Sequence, residues 1–532
     1  MSGRQSYAEF VLGVYASLLK DCEVQYPELA KEFNRDYQRL RSAFESNGLY
    51  FFVEIMPAYR KHFDQCLAMQ RLTTIPGATH FGSWKRGGKV PRLFRGLFLR
   101  VFELDGTLRP KPDVAAIRLI RQLLGACRRL RLETTTRNRC EAVDEFYQVD
   151  QDVKLGDSQY WESTTPARDC AGMGNRDFRD LKSDRGRRTR NPGSTTSGRY
   201  VGQTDSQLEL SLASDSGGVD DTLSGVTLAC LHKIQLVADL IAGSLGSFNP
   251  LHWRPKHGPG AVADQLFGSY RYDFGNWPSR LESVFPYADF AFSSYGTWAG
   301  GITAEAADAR FSHEFPAVLH AVPKTLAKPR LIAAEPTALQ WCQQVVRDYF
   351  YSRVRETFIR GFVDFGRQDL NGVLAREASH HMGHATLDLS SASDRVSCWH
   401  IERLFRRSPD LLDALRATRS QYIKQDICGS TPRIFKIRKY STMGNATTFP
   451  VQTLLFLALA LGCVCYMRDL PVNLATMRKL AKARLVRVFG DDIIVPEYAV
   501  QEMLACLKAF SMKVNPTKTF VTGKFRESCG VD

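Results

Sequence analysis

The sequence predicts an α+β protein in which helices flank a small sheet, and three observations carry that prediction. Apolar residues recur at three- and four-residue spacing over 7–19 and again over 112–132, the period of amphipathic helices. Two short β-branched runs flank Gly490-Asp491-Asp492 within 485–496, the pattern of a hairpin with acidic residues at its tip. The stretch 385–394 reads as a short strand delivering Asp388 at its end, then passing through Ser390, Ser391 and Ser393 into a helix that begins near Arg395. There is no internal repeat and no heptad pattern.

With 532 residues the chain is long enough for several subdomains, and 44% hydrophobic with 24% charged residues excludes a disordered or fibrous protein. Lys and Arg number 71 against 56 Asp and Glu, a net charge of +15. Such an excess favours a polyanionic partner, nucleic acid ahead of an anionic membrane surface. Thirteen cysteines show no CxxC pair and no Cys/His cluster at zinc spacing, so they read as reduced core thiols of a cytosolic protein. Residues 1–6 lack the apolar core of a signal peptide. The apolar run 453–467 is shorter than the roughly 20 residues a membrane span needs. It reads as a buried helix, with no membrane partner expected.

Along the chain, 84–100 interleaves Lys85, Arg86, Lys89, Arg92, Arg95 and Arg100 with Leu and Phe. A surface following a phosphate backbone would look like this, and so would a solvated basic face on a packed segment. From 183 to 225 the composition turns to Ser, Thr, Gly, Asp and Arg, the signature of a flexible insertion. A turn-rich segment at 253–260 and an aromatic-rich one at 270–298 follow. The expected division is 1–250, an N-terminal region containing the insertion, then 251–380 with a basic nucleotide-binding motif, then 381–532 with the acidic residues.

Five segments carry chemistry. Adjacent carboxylates at the Phe489-Gly490-Asp491-Asp492 turn repel each other and suit a divalent cation, hard Mg²⁺ above all. Taken alone the tripeptide is weak, since composition places one by chance in roughly one chain of this length in ten. Asp388 sits between Leu387 and Leu389, where an unpaired buried acid is costly, whereas Asp394 reads equally well as a helix cap. The loop 441–450, with Ser441, Gly444 and Asn445, would let backbone approach a ligand closely or would simply turn into the apolar helix, Pro450 falling in its first turn. In 322–336, Lys324, Lys328 and Arg330 precede an apolar strand and suit a triphosphate, Arg330 bidentately. Lys518, after the turn at 514–517, suits a proton donor or a solvated lysine.

Taken in order, VPKTLAKPRLIAAEP, DLSSASDRVS, STMGNATTF, FGDDIIVP and NPTKTF followed by FRESCG resemble the replicase catalytic (beta) subunit of the leviviruses, the small positive-strand RNA bacteriophages. The resemblance is closest over 253–530. It implies an RNA-directed RNA polymerase with the right-handed fold of fingers, palm and thumb. Asp388 and Asp491 would hold two Mg²⁺ ions, with Mn²⁺ as substitute and Asp492 beside them. Lys324, Lys328 and Arg330 would meet the triphosphate, and Ser441, Gly444 and Asn445 would line the nucleotide site. Asp394 and Asn445 would sense the ribose, and Lys518 would protonate the leaving pyrophosphate. The implied partners are RNA template and product, nucleoside triphosphates, host translation elongation factors Tu and Ts and a small-subunit ribosomal protein, in the host bacterial cytoplasm.

Two departures stand out. Phe489 replaces the Tyr of many relatives, removing a hydroxyl but keeping aromatic packing, and the chain ends at Asp532 where the family continues, so the thumb is expected to be largely absent. Two alternatives remain open. A reverse transcriptase also pairs a strand-end Asp with an acidic hairpin, although that class carries a bulky aromatic near the place of Asp394. A truncated, non-catalytic RNA-binding protein would use the basic segments alone.

Overall fold

The computed structural model describes residues 2–75, 79–153, 226–264, 271–301, 314–324 and 328–531, apart from Arg86, Arg129, Arg131, Leu132, Asp273 and Gly275. The insertion expected at 183–225 lies outside the described residues. The described chain is α+β, as predicted.

Five helices open it: α1 (Ser2–Gln25), α2 (Ala30–Asn47), α3 (Met56–Ala68), α4 (Arg95–Val101) and α5 (Val114–Gly125). Their apolar faces enclose a separate core in which Tyr15, Phe51, Phe63 and Phe98 are fully buried. The 7–19 periodicity thus belongs to α1, but α5 is shorter than the predicted 112–132. Asp113 caps it by accepting from the Ala115 and Ala116 N–H groups, and the helix stops at Gly125. Part of the basic 84–100 stretch is structural: Arg95 pairs with Glu32 and Arg100 with Glu28, tying α4 to the preceding helices.

The strands, in chain order, are β1 (Ala317–Val322), β2 (Arg330–Ala334), β3 (His384–Leu387), β4 (Leu389–Ser390), β5 (Tyr422–Lys424), β6 (Ile434–Lys436), β7 (Arg487–Phe489), β8 (Asp492–Pro496) and β9 (Lys513–Val514). They form a four-stranded sheet ordered β2-β1-β5-β6, a three-stranded sheet ordered β3-β8-β7, and the pair β4-β9. Helix α6 (Thr136–Gln151) lays Val143 and Phe146 on the first sheet, against Leu319, Ala333, Ile423 and Phe435.

The largest core lies behind the second sheet and includes α7 (Leu228–Leu245), α8 (Thr337–Glu356), α10 (Cys398–Phe405), α11 (Thr448–Met467) and α12 (Val500–Ala509), while α9 (Asp369–His381) sets Leu374 and Ala375 against Ile494 of β8 in a small cluster of its own. The helix expected near Arg395 is broken in two. A single turn, Ala392–Arg395, ends at Val396, which is extended, and Ser397 caps α10 in a capping box with His400. Helices α7 and α11 are both long and apolar enough to cross a membrane, which corrects the length argument made for 453–467. The buried-helix reading of α11 holds, because 94% of its apolar window is enclosed by protein. Pro450 falls in its first turn, as expected.

Helices α7 and α11 pack tightly at Gly462, where a Cβ would lie 2.4 Å from Ile234 Cγ1 and 2.6 Å from its Cα. Backbone cannot yield as a side-chain end can, so Gly462→Ala should cost about 1–3 kcal/mol. A urea midpoint no lower than that of the unmodified chain would contradict this contact.

Candidate functional site

Sheet register builds the acidic centre. In the antiparallel β3–β8 pair Leu387 lies opposite Ile493, so Asp388, the next residue, falls beside Asp492. Phe489 pairs with Asp492 in the β7–β8 hairpin, leaving Gly490 and Asp491 as a two-residue turn. Gly490 has φ +64° and Asp491 does not share a positive φ, the type II′ geometry that asks for glycine at its first position. Helix α11 fixes this tip from below. The Gly490 N–H donates to Thr453 Oγ1 at 3.0 Å, and Phe489 packs edge-on against Phe449 with ring centroids 4.9 Å apart. The aromatic packing expected of Phe489 is therefore present.

The electrostatics follow from burial. Asp388 is buried and its carboxyl is pushed up to about 6, chiefly by loss of water; Lys518 opposes the rise and Asp491 and Asp492 add to it. Asp492 is also raised, by burial first and by Asp491, against the Cys529 N–H that donates to its Oδ1 at 3.0 Å. Asn515 Nδ2 donates to Asp388 Oδ2 at 2.7 Å, and Lys518 Nζ lies 3.6 Å from Asp388 Oδ1. Burial disfavours the Lys518 ammonium, but the Asp388, Glu527, Asp492 and Asp491 carboxylates outweigh it and raise its pKa. Carboxyl groups raised by burial and by one another, with Lys518 against them, fit a hard divalent cation.

The other predicted residues divide into two groups. Lys324 is within electrostatic range of the centre: partial burial, Arg330 and Lys518 lower its pKa, while Asp491 opposes. Arg330 stands exposed at the start of β2, opposite Val322. Lys328 instead turns to α6, with Nζ 2.6 Å from Glu145 Oε2. Asp394 accepts from Lys439 Nζ at 2.9 Å, and that ammonium is wholly buried, 3.2 Å from the centroid of the Phe146 ring. Ser441 Oγ hydrogen-bonds Thr448 Oγ1 at 2.7 Å, and Asn445 Oδ1 accepts from the Thr447 N–H at 2.8 Å. Gly444 has φ +124°, and a Cβ on it would lie 1.9 Å from the Ala333 carbonyl oxygen. The close approach this glycine permits is to β2, where the Ala333 N–H donates to the Met443 carbonyl at 2.8 Å.

Several contributors have no sequence signal of their own. Asn515 looks like a turn residue, Thr453 lies inside an apolar helix, and Cys529 acts through its backbone N–H. Only their place inside or next to the quoted motifs could have drawn attention to Asn515 and Cys529.

Part of the chain is similar to known proteins. Residues 289–532 match the model described as RNA replicase, beta-chain. Over this segment the chain is similar to the replicase beta subunits of RNA phages. Over 211 residues it is 34% identical to the RNA-directed RNA polymerase beta chain of Escherichia phage MS2, covering 39% of this chain and 34% of the relative. The RNA-directed RNA polymerase subunit beta of Qbeta virus (strain MX1) is 34% identical over 211 residues, 39% of this chain and 32% of that protein. The corresponding subunit of Enterobacteria phage SP is 35% identical over the same length, again 39% of this chain and 32% of the relative. The chain thus spans about a third of the length of the curated relatives it matches.

Behind the acidic centre, burial lifts the Glu335 carboxyl from 4.5 to about 7, against hydrogen bonds involving Ser420, Gln343 and Asn445. A folded pKa above the unfolded one means that stability falls as pH rises from about 4.5 through about 7, because the unfolded chain gives up its proton first. Glu335→Gln should flatten that part of the stability profile. Unfolding midpoints measured across this range that decline equally in both proteins would refute the assignment.

Proposed function

We propose that this chain is an RNA-directed RNA polymerase replicating a positive-strand RNA phage genome. The observation that carries the reading is the meeting of Asp388, Asp491 and Asp492 at one end of a single sheet, with Lys518 Nζ 3.6 Å from Asp388. In this reading β3-β8-β7 with its helices is the palm of a right-handed polymerase, and the basic segments before it belong to the fingers. The relatives named above are RNA-directed RNA polymerase subunits, which supports the same substrates here: an RNA template and ribonucleoside triphosphates.

The donor set suits Mg²⁺, with Mn²⁺ as a substitute, Asp388 and Asp491 serving as ligands and Asp492 beside them. Two such ions, when bound, activate the 3′-hydroxyl and stabilise the leaving pyrophosphate. Lys324 and Arg330 bring positive charge to the triphosphate, which favours its entry and offsets charge developing on the transferred group. Lys518, kept protonated by the surrounding carboxylates, gives its Nζ proton to the departing pyrophosphate. Asp394, its carboxylate fixed by Lys439, and Asn445 set the shape of the ribose side of the site. The reading extends to host elongation factors Tu and Ts and a small-subunit ribosomal protein as partners, in the bacterial cytoplasm.

The test uses the protein with RNA template, ribonucleotides and Mg²⁺. Product should extend, and Asp388→Asn or Asp491→Asn should slow extension by about a hundredfold or more while leaving RNA binding in place. Extension by Asp491→Asn at the unmodified rate sinks the proposal. Salt-sensitive RNA binding without any synthesis would leave only an RNA-binding protein. Preference for deoxyribonucleotides would make the chain a reverse transcriptase. Lys518→Ala should lose roughly 10²–10⁴-fold in rate with template binding intact, the range for loss of a general acid.

A further inference from the structure

Three thiols from three helices meet in the largest core. Cys230 lies in the first turn of α7, Cys463 near the end of α11 and Cys506 in α12, and each is completely buried, with 0% exposure. Cys506 Sγ is 3.8 Å from Cys230 Sγ and 3.6 Å from Cys463 Sγ, and the three sulfurs all fall within 4.8 Å of one another. A tetrahedral ion with metal–sulfur bonds near 2.3 Å separates its sulfur ligands by about 3.8 Å. The apo thiols therefore already stand close to the spacing of a ligand set.

A second observation points to the same place. Glu502, one turn before Cys506 on α12, sets its carboxyl against the Cys230 thiol, and its Oε1 is buried without a hydrogen-bond partner among the described residues. An acid in that position lacks the satisfaction buried carboxyl oxygens normally find. We propose that Cys230, Cys463, Cys506 and Glu502 form a structural site for one thiophilic tetrahedral cation, Zn²⁺ foremost.

The alternatives fit less well. A disulfide would use two of the three sulfurs, and their separations of 3.8 and 3.6 Å exceed the roughly 2.05 Å of a sulfur–sulfur bond. Three inert core thiols would leave the enclosed Oε1 of the half-buried Glu502 without a hydrogen-bond partner. Binding displaces the thiol protons, as metal binding to cysteine requires. The ion would join α7, α11 and α12 on the far side of the core from the acidic hairpin, since Thr453, which holds Gly490, precedes Cys463 on α11 by about 15 Å of helix. Its role is to hold the core rather than to take part in chemistry. The absence of CxxC spacing is no obstacle, because each ligand helix comes from a different part of the chain.

The experiment measures metal in the full chain, expressed with zinc and dialysed without chelator. One zinc per chain is expected, retained by the folded protein and released to a zinc indicator on denaturation. Cobalt(II) replacing it should give the intense thiolate-to-cobalt charge-transfer band and the visible bands of tetrahedral coordination. Cys506→Ser should lose the charge-transfer intensity in part or in full. Should that variant fail to fold, Glu502→Gln keeps the shape of the site and should shift the visible bands and weaken metal retention while the thiolate band persists. Folded wild-type protein that holds no zinc and shows no thiolate band at saturating cobalt overturns the proposal. A Glu502→Gln protein with an unchanged spectrum and unchanged retention overturns the four-ligand set.

Discussion

Mutual repulsion among Asp388, Asp491 and Asp492 is the constraint around which this part of the molecule is arranged. Left to itself, a cluster of carboxylates with little water would separate or take up protons. Here the ladder of β3 with β8 and the II′ turn after β7 hold the three in place, and the sheet cannot relax without giving up its register. What offsets the repulsion is specific: the Lys518 ammonium, the Asn515 amide and the Cys529 backbone N–H. Two of the carboxyl groups nevertheless remain shifted toward their protonated forms, a shift that a bound cation would relieve.

All three of those compensating groups come from the stretch after β9, so that segment is part of the site. Arg526 anchors it. Its guanidinium is fully buried, donates to the carbonyls of His384, Gly523 and Phe525, and pairs with Glu497 Oε1 at 3.0 Å. The N-terminal helices press on the same segment from outside. Gln65 donates to the Pro516 carbonyl at 2.9 Å, the Arg121 guanidinium lies 5.6 Å from the Phe525 ring centroid, and a Cβ on Gly523 would fall 2.0 Å from the Ala68 carbonyl oxygen. The N-terminal core, which carries no recognisable motif, thus braces the residues that tune Asp388 and Asp492.

Motif residues that do not face the carboxylates serve the scaffold between the two sheets. Asp394 with Lys439 and the Phe146 ring connects the turn after β4 to α6. Gly444 seats its loop on β2, and Glu335 with Ser420 and Gln343 fills the space behind that loop. Buried polar groups of this kind are costly when partly satisfied, so they fix the relative placement of the sheets more sharply than apolar packing alone would. Chemistry proposed for Asp394 and Asn445 would act from within this framework, as rigid walls rather than as mobile ligands.

The sequence by itself determined the local elements and the identity of the acidic centre. Period-two and period-3.6 patterning, the Gly490 turn and the strand ending at Asp388 are consequences of near-neighbour sterics and burial, which are written in consecutive residues. It also named Lys518 and Lys324, because a motif keeps its charges in order. It could not separate Lys328 from Lys324, or show that Gly444 approaches β2, because those outcomes depend on Glu145 and Ala333, far away along the chain. The same holds for Asn515, for the Cys529 N–H and for the three thiols of α7, α11 and α12. Each becomes functional or structural only when chain folding brings distant segments within a few ångströms, and distance in space is the one quantity that residue order does not contain.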